Sequence, residues 1–235
     1  MAVPFLKEIY PSGYMSRLSK LIEERLAAGI DKEEIDKRIW NLFGETWAVM
    51  FTDLSGFSRY VADFGIIHFL QIIYESQRLF GPCIDRHDGI LIKMEGDSML
   101  VLFRQPERAV HCAVEMQRIA RSYNVDRIDA EKILLCVGIG YGRILSIGEE
   151  DVFGAEVNAA SKLGEDTARA WEILVTDSVA DALKGVVGIG LEKTEAVPPG
   201  AKGAVGIGLE KIEAVPPGAK GAYRIIYEMD SGLPR

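Results

Sequence analysis

Two aspartates in unlike surroundings are the first residues whose type and placement point to chemistry. Asp53 ends a β-rich run, residues 46–52 (TWAVMFT), where the chain breaks into Leu54, Ser55 and Gly56; Asp97 lies in Glu95-Gly96-Asp97, between strand-like runs at 89–94 and 98–103. If the second of those runs lies beside the first strand, both carboxylates meet at one sheet edge. There they repel unless they share a proton or hold a cation, and such hard oxygen donors suit Mg²⁺ or Mn²⁺. Either aspartate alone reads most simply as a turn residue, whereas the pair points to metal. Ser55, Gly56, Phe57 and Ser58 separate Asp53 from the next helix, where free N–H groups and a positive dipole end receive phosphate oxygens. Acid pair and loop together imply a metal–polyphosphate site. Farther along, Asn158 and Lys162 are four apart on an expected helix and share a face, with Asp151 seven residues ahead of Asn158. By themselves these three read as a helix polar residue, a solvated charge and a loop acid.

The elements that must position these groups follow from apolar spacing. Leu18, Leu21, Ile22 and Leu26, then Ile35, Ile39, Leu42 and Phe43, fall at helical intervals on either side of Gly29-Ile30-Asp31, with Asp31 a cap, so two short helices come first. After the 46–52 strand, the pattern predicts a helix over 66–86, the hairpin, a second long helix from Pro106 to about 123, and a strand over 132–139. The order β-α-β-β-α-β is the split-βαβ, ferredoxin-like arrangement of an α+β domain, with helices on one face of a mainly antiparallel sheet. A ribbon at 141–146, a helix over 155–168, a strand over 172–176, a short helix and terminal strands complete the expectation. Residues 1–44 are expected to form a helical segment and 45–235 the main domain.

Composition limits the partners. Lys and Arg number 27 against 35 Asp and Glu, a net charge of −8, which argues against coating a nucleic-acid backbone but leaves room for a nucleotide-sized anion. Cys83, Cys112 and Cys136 lie in apolar runs without a C-x-x-C pair, so neither a disulfide framework nor a structural zinc site is expected. No uncharged apolar run approaches the ~20 residues of a membrane span, and MAVPFLKEIY lacks signal-peptide order. A soluble cytoplasmic protein without a membrane partner is the expectation. The stretch VGIGLEKTEAVPPGAKGA (187–204) recurs as VGIGLEKIEAVPPGAKGA (205–222), a tandem duplication. Two copies are fewer than the ~3 a solenoid needs, so one copy should hold the strand position beside residues 223–227 while the other forms an edge hairpin or loop.

Four blocks, FTDLSGFSRY (51–60), LIKMEGDSMLVLF (91–103), VGIGYGRI (137–144) and DVFGAEVNAASKLGEDTARAWEILVT (151–176), resemble in order and spacing the class III nucleotidyl cyclase catalytic domain. The resemblance implies two divalent cations, Mg²⁺ or Mn²⁺, held by Asp53 and Asp97 with the Leu54 carbonyl as a further ligand. It casts Lys93 and Asp151 as the base-recognising pair, a donor to a ring nitrogen and an acceptor from an exocyclic amine, which suits ATP. Asn158 matches the residue that positions the ribose. Lys162 stands where the family commonly has arginine; it keeps the charge but lacks the planar fork. For the family's triphosphate-binding lysine, Lys202 and Lys220 both remain open. Because the family builds its site between two catalytic domains and this chain carries both residue sets, the resemblance implies a homodimer.

The expected function is conversion of ATP to 3′,5′-cyclic AMP and pyrophosphate. Cyclisation of GTP or a pyrimidine nucleotide, and a cyclase-like domain that binds nucleotide with little turnover, are the alternatives. RNA binding on the sheet is disfavoured, since no aromatic RNP pattern lies on a basic face.

Overall fold

The computed structural model describes residues 13–56, 61, 64–148, 151–186, 189–190 and 207–227. Helices α1 (Tyr14–Leu26) and α2 (Lys32–Phe43) come first, and the Asp31 side chain caps α2 by accepting from the backbone N–H groups of Glu33 and Glu34. Their apolar stripes, Leu21 with Ile35, Ile39 and Phe43, close around Ile147 at the end of a sheet strand. No described helix is long and apolar enough to cross a membrane.

The ferredoxin-like core follows as β1 (Gly44–Leu54), α3 (Ile66–Arg86), β2 (Ile90–Glu95), β3 (Ser98–Phe103), α4 (Pro106–Asn124) and β4 (Leu135–Ile147). Beyond it lie β5 (Asp151–Phe153), α5 (Ala155–Ser161), β6 (Ile173–Thr176), α6 (Asp177–Ala182), β7 (Ile189–Gly190), β8 (Ile207–Ile212) and β9 (Ala222–Tyr227). The sheet runs β2-β3-β1-β4-β6-β9-β8-β7, with β5 paired to β4. As the α+β reading required, β3 lies antiparallel beside β1, with Thr52 opposite Met99. Period-two alternation then separates the faces. Met50, Val101, Val137 and Ile139 pack on Phe80, Val110 and Met116 of α3 and α4. Trp47, Val49, Leu100, Leu102 and Ile144 face the other way, onto Ala160 and Val157 of α5.

Three expectations are corrected. The ribbon at 141–146 is no separate element, because β4 continues unbroken to Ile147 along the whole of β1. Helices also cover both faces: α3 and α4 lie on one, and α5 lies on the other. The cause of both is the row Gly138, Gly140, Gly142, which leaves three successive positions on one face of β4 without side chains. A Cβ on Gly138 would sit 2.1 Å from the Ala160 carbonyl oxygen, and one on Gly140 would sit 2.4 Å from that of Glu156. The helix therefore rests directly on strand backbone. Third, the helix predicted over 155–168 is α5 followed by a π-helical turn, Lys162–Thr167. That widened turn brings Gly164 against the Phe51 carbonyl and the Gly138 amide, where a Cβ would lie 3.0 Å from each.

Of the two duplicated copies, the second holds the strand position: β8 pairs antiparallel with β9 from Ile207 opposite Tyr227 to Ile212 opposite Ala222. The first copy adds β7, paired parallel to β8, so the described part is an edge strand rather than a hairpin. Its remainder lies outside the described residues. Near-identical copies have the same intrinsic preferences, so proximity decides: only the second is joined to β9 by a short Pro216-Pro217-Gly218 turn. Gly218 there adopts φ +102°, in the left-handed region that favours glycine.

Candidate active site

Asp53 follows Trp47, Val49 and Phe51 on the α5 face of β1, at the end of that strand. Asp97 occupies the two-residue turn joining β2 to β3, where Gly96 supplies the φ of +59° that a tight hairpin demands at its first central position. The fold thus brings the two acids together as the topology required. Ser98 Oγ donates to Asp53 Oδ1 at 3.5 Å. Burial, then the charges of Asp97 and Glu165, push the Asp53 carboxyl up to about 6. Asp97 is raised as well, chiefly by burial, with hydrogen bonds from its own and the Leu54 backbone and from Asp53 opposing. Its Oδ2 is buried without a hydrogen-bond partner. A buried, orphaned carboxylate oxygen beside a second raised acid is a costly arrangement that a divalent cation relieves, and the all-oxygen donor set fits Mg²⁺ or Mn²⁺.

Glu165, in the π-helical turn, is an acid that sequence reasoning missed. Its charge reaches both aspartates, while its Oε2 accepts from Ser161 Oγ at 2.6 Å. Three residues past Lys162 on a regular helix, it carried no sign of lying within electrostatic reach of Asp53. Ser55 and Gly56 follow β1, with the Ser55 amide donating to the Leu134 carbonyl at 2.8 Å. Phe57 and Ser58, and with them the rest of the expected phosphate loop, lie outside the described residues, as does Lys202.

Lys93 and Asp151 meet: Lys93 Nζ lies 3.2 Å from Asp151 Oδ2 and 3.0 Å from Glu95 Oε1. A β-bulge between Leu91 and Lys93 sets Lys93 opposite Leu100, so its side chain shares the α5 face. The hydrogen bond to Glu95, then that to Asp151, raises its pKa. Asp151 is held in turn by the Val152 amide on Oδ1, 2.8 Å. Asn158 donates from Nδ2 to the Pro217 carbonyl at 3.2 Å, so the turn of the second duplicated copy touches the site helix. Lys162 pairs with Asp166 at 2.6 Å, an exposed contact of the kind that contributes little and is readily exchanged for a ligand phosphate. Lys220 places its backbone amide, not its side chain, on Asp177 Oδ1. Glu156, also missed from sequence, anchors α5: its carboxylate accepts from the Tyr141 amide, Thr176 Oγ1 and Ser178 Oγ at 3.1, 2.8 and 2.9 Å.

A pH signature follows from the acid pair. In the cation-free protein the folded state holds the Asp53 proton more tightly than the unfolded chain does, so stability falls as pH rises from about 4 to about 6. A divalent cation held by the two acids would replace that proton. Thermal melts with and without Mg²⁺ should therefore show a small Mg²⁺ stabilisation at pH 5 and the full one from pH 7 upward; an increment independent of pH would count against the raised acid.

Comparison with known proteins bears on the fold and the family. The chain is 29% identical over 139 residues to a putative adenylate cyclase 3 of Rhizobium meliloti, covering 59% of this chain and 23% of that protein. It is 21% identical over 213 residues to mouse guanylate cyclase 2G, covering 77% and 19%. It thus spans under a quarter of the length of these curated relatives. Among solved structures, an adenylate/guanylate cyclase/hydrolase from Silicibacter pomeroyi superposes with a TM-score of 0.60 at 23% identity, over 79% of this chain and 98% of that one, a likeness of fold. The model of the adenylate and guanylate cyclase catalytic domain matches residues 44–205, more than half of the chain, which therefore belongs to that family, the class III nucleotidyl cyclases.

Proposed function

We propose that this chain cyclises a nucleoside triphosphate, with ATP favoured, to the 3′,5′-cyclic monophosphate and pyrophosphate, at sites shared by two copies of itself. The observation that carries the reading is the acid pair, Asp53 raised by burial beside Asp97 with its orphaned Oδ2. These two side chains, with the Leu54 carbonyl, would hold the divalent cations. When bound, such ions acidify the ribose 3′-hydroxyl and neutralise the polyphosphate. The 3′-oxygen attacks the α-phosphorus as the bond to pyrophosphate breaks, so no side chain need act as a nucleophile.

The remaining residues bind and orient. Lys93 would donate to a ring nitrogen and Asp151 accept from an exocyclic amine, a complement to adenine that their contact within one chain supports. Asn158 would orient the ribose. Lys162, released from Asp166, would counter charge developing on the α-phosphoryl oxygens, where electrostatic help counts most. Gly56, Phe57 and Ser58 would receive the polyphosphate with their backbone amides, whereas the Ser55 amide, expected to join them, is taken by the Leu134 carbonyl and leaves that residue only its hydroxyl to offer. The family's division of its site between two domains supports the homodimer, since one chain carries both residue sets.

The test is incubation of purified protein with Mn²⁺ and each of ATP, GTP, CTP and UTP, with products identified by mass. Cyclic AMP as the main product is expected. Cyclic GMP or a cyclic pyrimidine nucleotide would overturn the base assignment of Lys93 and Asp151, and nucleotide binding without product would overturn catalysis.

A further inference from the structure

Away from the acid pair, a second group of ligating side chains gathers where α3 crosses α4. The chain has only three histidines and three cysteines. Two of those cysteines and one of those histidines meet here. Cys83 and His87 lie one helical turn apart at the end of α3, and Cys112 and Glu115 lie three apart on α4. His87 Nε2 is 2.6 Å from Glu115 Oε2, and Cys83 Sγ is 3.9 Å from Cys112 Sγ. The ligand atoms of Cys83, His87 and Glu115 all lie within 4.8 Å of one another, the one such group of three found among the described residues.

We propose that this crossing is a binding site for a borderline-soft divalent cation of the zinc class, held by Cys83 Sγ, His87 Nε2 and a Glu115 carboxylate oxygen. One sulfur, one imidazole nitrogen and one carboxylate oxygen form a donor set suited to such an ion and unlike the all-oxygen set at Asp53 and Asp97. With zinc–sulfur near 2.3 Å and zinc–nitrogen or zinc–oxygen near 2.0 Å, ligands of one tetrahedral ion stand about 3.3–3.5 Å apart. From the separations here, His87 Nε2 and Glu115 Oε2 must part by about 0.7 Å, and the Cys83 sulfur, within 4.8 Å of both, must close by at most about 1.3 Å. Arg86 occupies the other Glu115 oxygen, Oε1, and with the arginine half exposed it can swing aside. Cys83 is fully buried, while His87 and Glu115 side chains are 17% and 35% exposed, so the ion enters from the Glu115 side and keeps its fourth position toward water. Cys112 stands behind Cys83 as a second sulfur.

Co²⁺ is a suitable probe, because a thiolate ligand gives it a near-ultraviolet charge-transfer band. The full-length protein, stripped with chelator and kept in excess Mg²⁺ to occupy the oxygen site, is titrated with Co²⁺. One equivalent per chain with a thiolate band is expected. Cys83→Ser should lose the band, His87→Gln and Glu115→Gln should weaken affinity at least tenfold, and Cys136→Ser and Asp53→Asn should leave it unchanged. Absence of the band in the wild type, or its survival in Cys83→Ser, overturns the proposal. If Cys83→Ser does not fold, the partly exposed His87 decides: unchanged Co²⁺ affinity in His87→Gln overturns it equally.

Discussion

Asp53→Asn should lower cyclase turnover at least about a hundredfold, the several kcal/mol a lost metal ion removes from transition-state stabilisation, with the fold intact. Asparagine is nearly isosteric and removes the charge that burial and Asp97 already disfavour, so the melting temperature of the cation-free variant should stay level or rise above pH 6. Loss of activity without loss of stability marks a functional acid. The same variant tests the shared site. Lys162→Ala should also be slow, and each homodimer then carries two sites with the same defect. In an equal mixture with subunit exchange, half the dimers are mixed, and each has one site taking its acids from one chain and its lysine from the other, so activity should recover to about a quarter of wild type. Retained activity in Asp53→Asn would falsify the metal assignment; a mixture as inactive as its parents would place both residue sets in one subunit.

Gly138→Ala should be among the most damaging single-methyl changes in the molecule. The added Cβ would lie 2.1 Å from the Ala160 carbonyl oxygen and 2.3 Å from the Gly164 amide nitrogen, both backbone atoms that cannot rotate away. Ordinary overpacking costs about 1–3 kcal/mol. A clash against two backbone segments should exceed that, lowering the melting temperature by roughly 10 °C or more in a domain of this size. Activity should fall further than stability, because the displaced segment carries Asn158 and Lys162. Gly142→Ala is the milder comparison: its Cβ would meet a side-chain atom, the Glu156 Cγ at 2.9 Å, rather than backbone, so its cost is the disturbance of the three Glu156 hydrogen bonds and should be smaller. Equal losses in the two variants would mean that α5 does not rest on β4 as described.

Much of the core was legible because local pattern and global fold agree there. The span of α3 and the limits of β3 follow from apolar spacing alone, and β-α-β-β order was sufficient to predict that Asp53 and Asp97 converge. The errors share one cause. Gly138, Gly140 and Gly142 look like a break when read along the chain, yet in the sheet they are a flat seat, because a glycine's effect depends on what lies over it. The same packing goes with the π turn that seats Gly164 on Phe51 and Gly138 and leaves Glu165 within electrostatic reach of the acid pair.

Residue types and their order along the chain determined by themselves the α+β class, the acid pair, and the lysine, aspartate and asparagine positions that carry the family resemblance. These depend on periodicity and covalent spacing, which a linear string contains. Tertiary structure alone decided that Glu156 anchors α5, which duplicated copy takes the strand beside β9, and that Cys83, His87 and Glu115 gather at one helix crossing. Each of those outcomes depends on contacts between residues 15 or more positions apart, or on competition between near-identical segments, where local preference is silent and packing selects the partner.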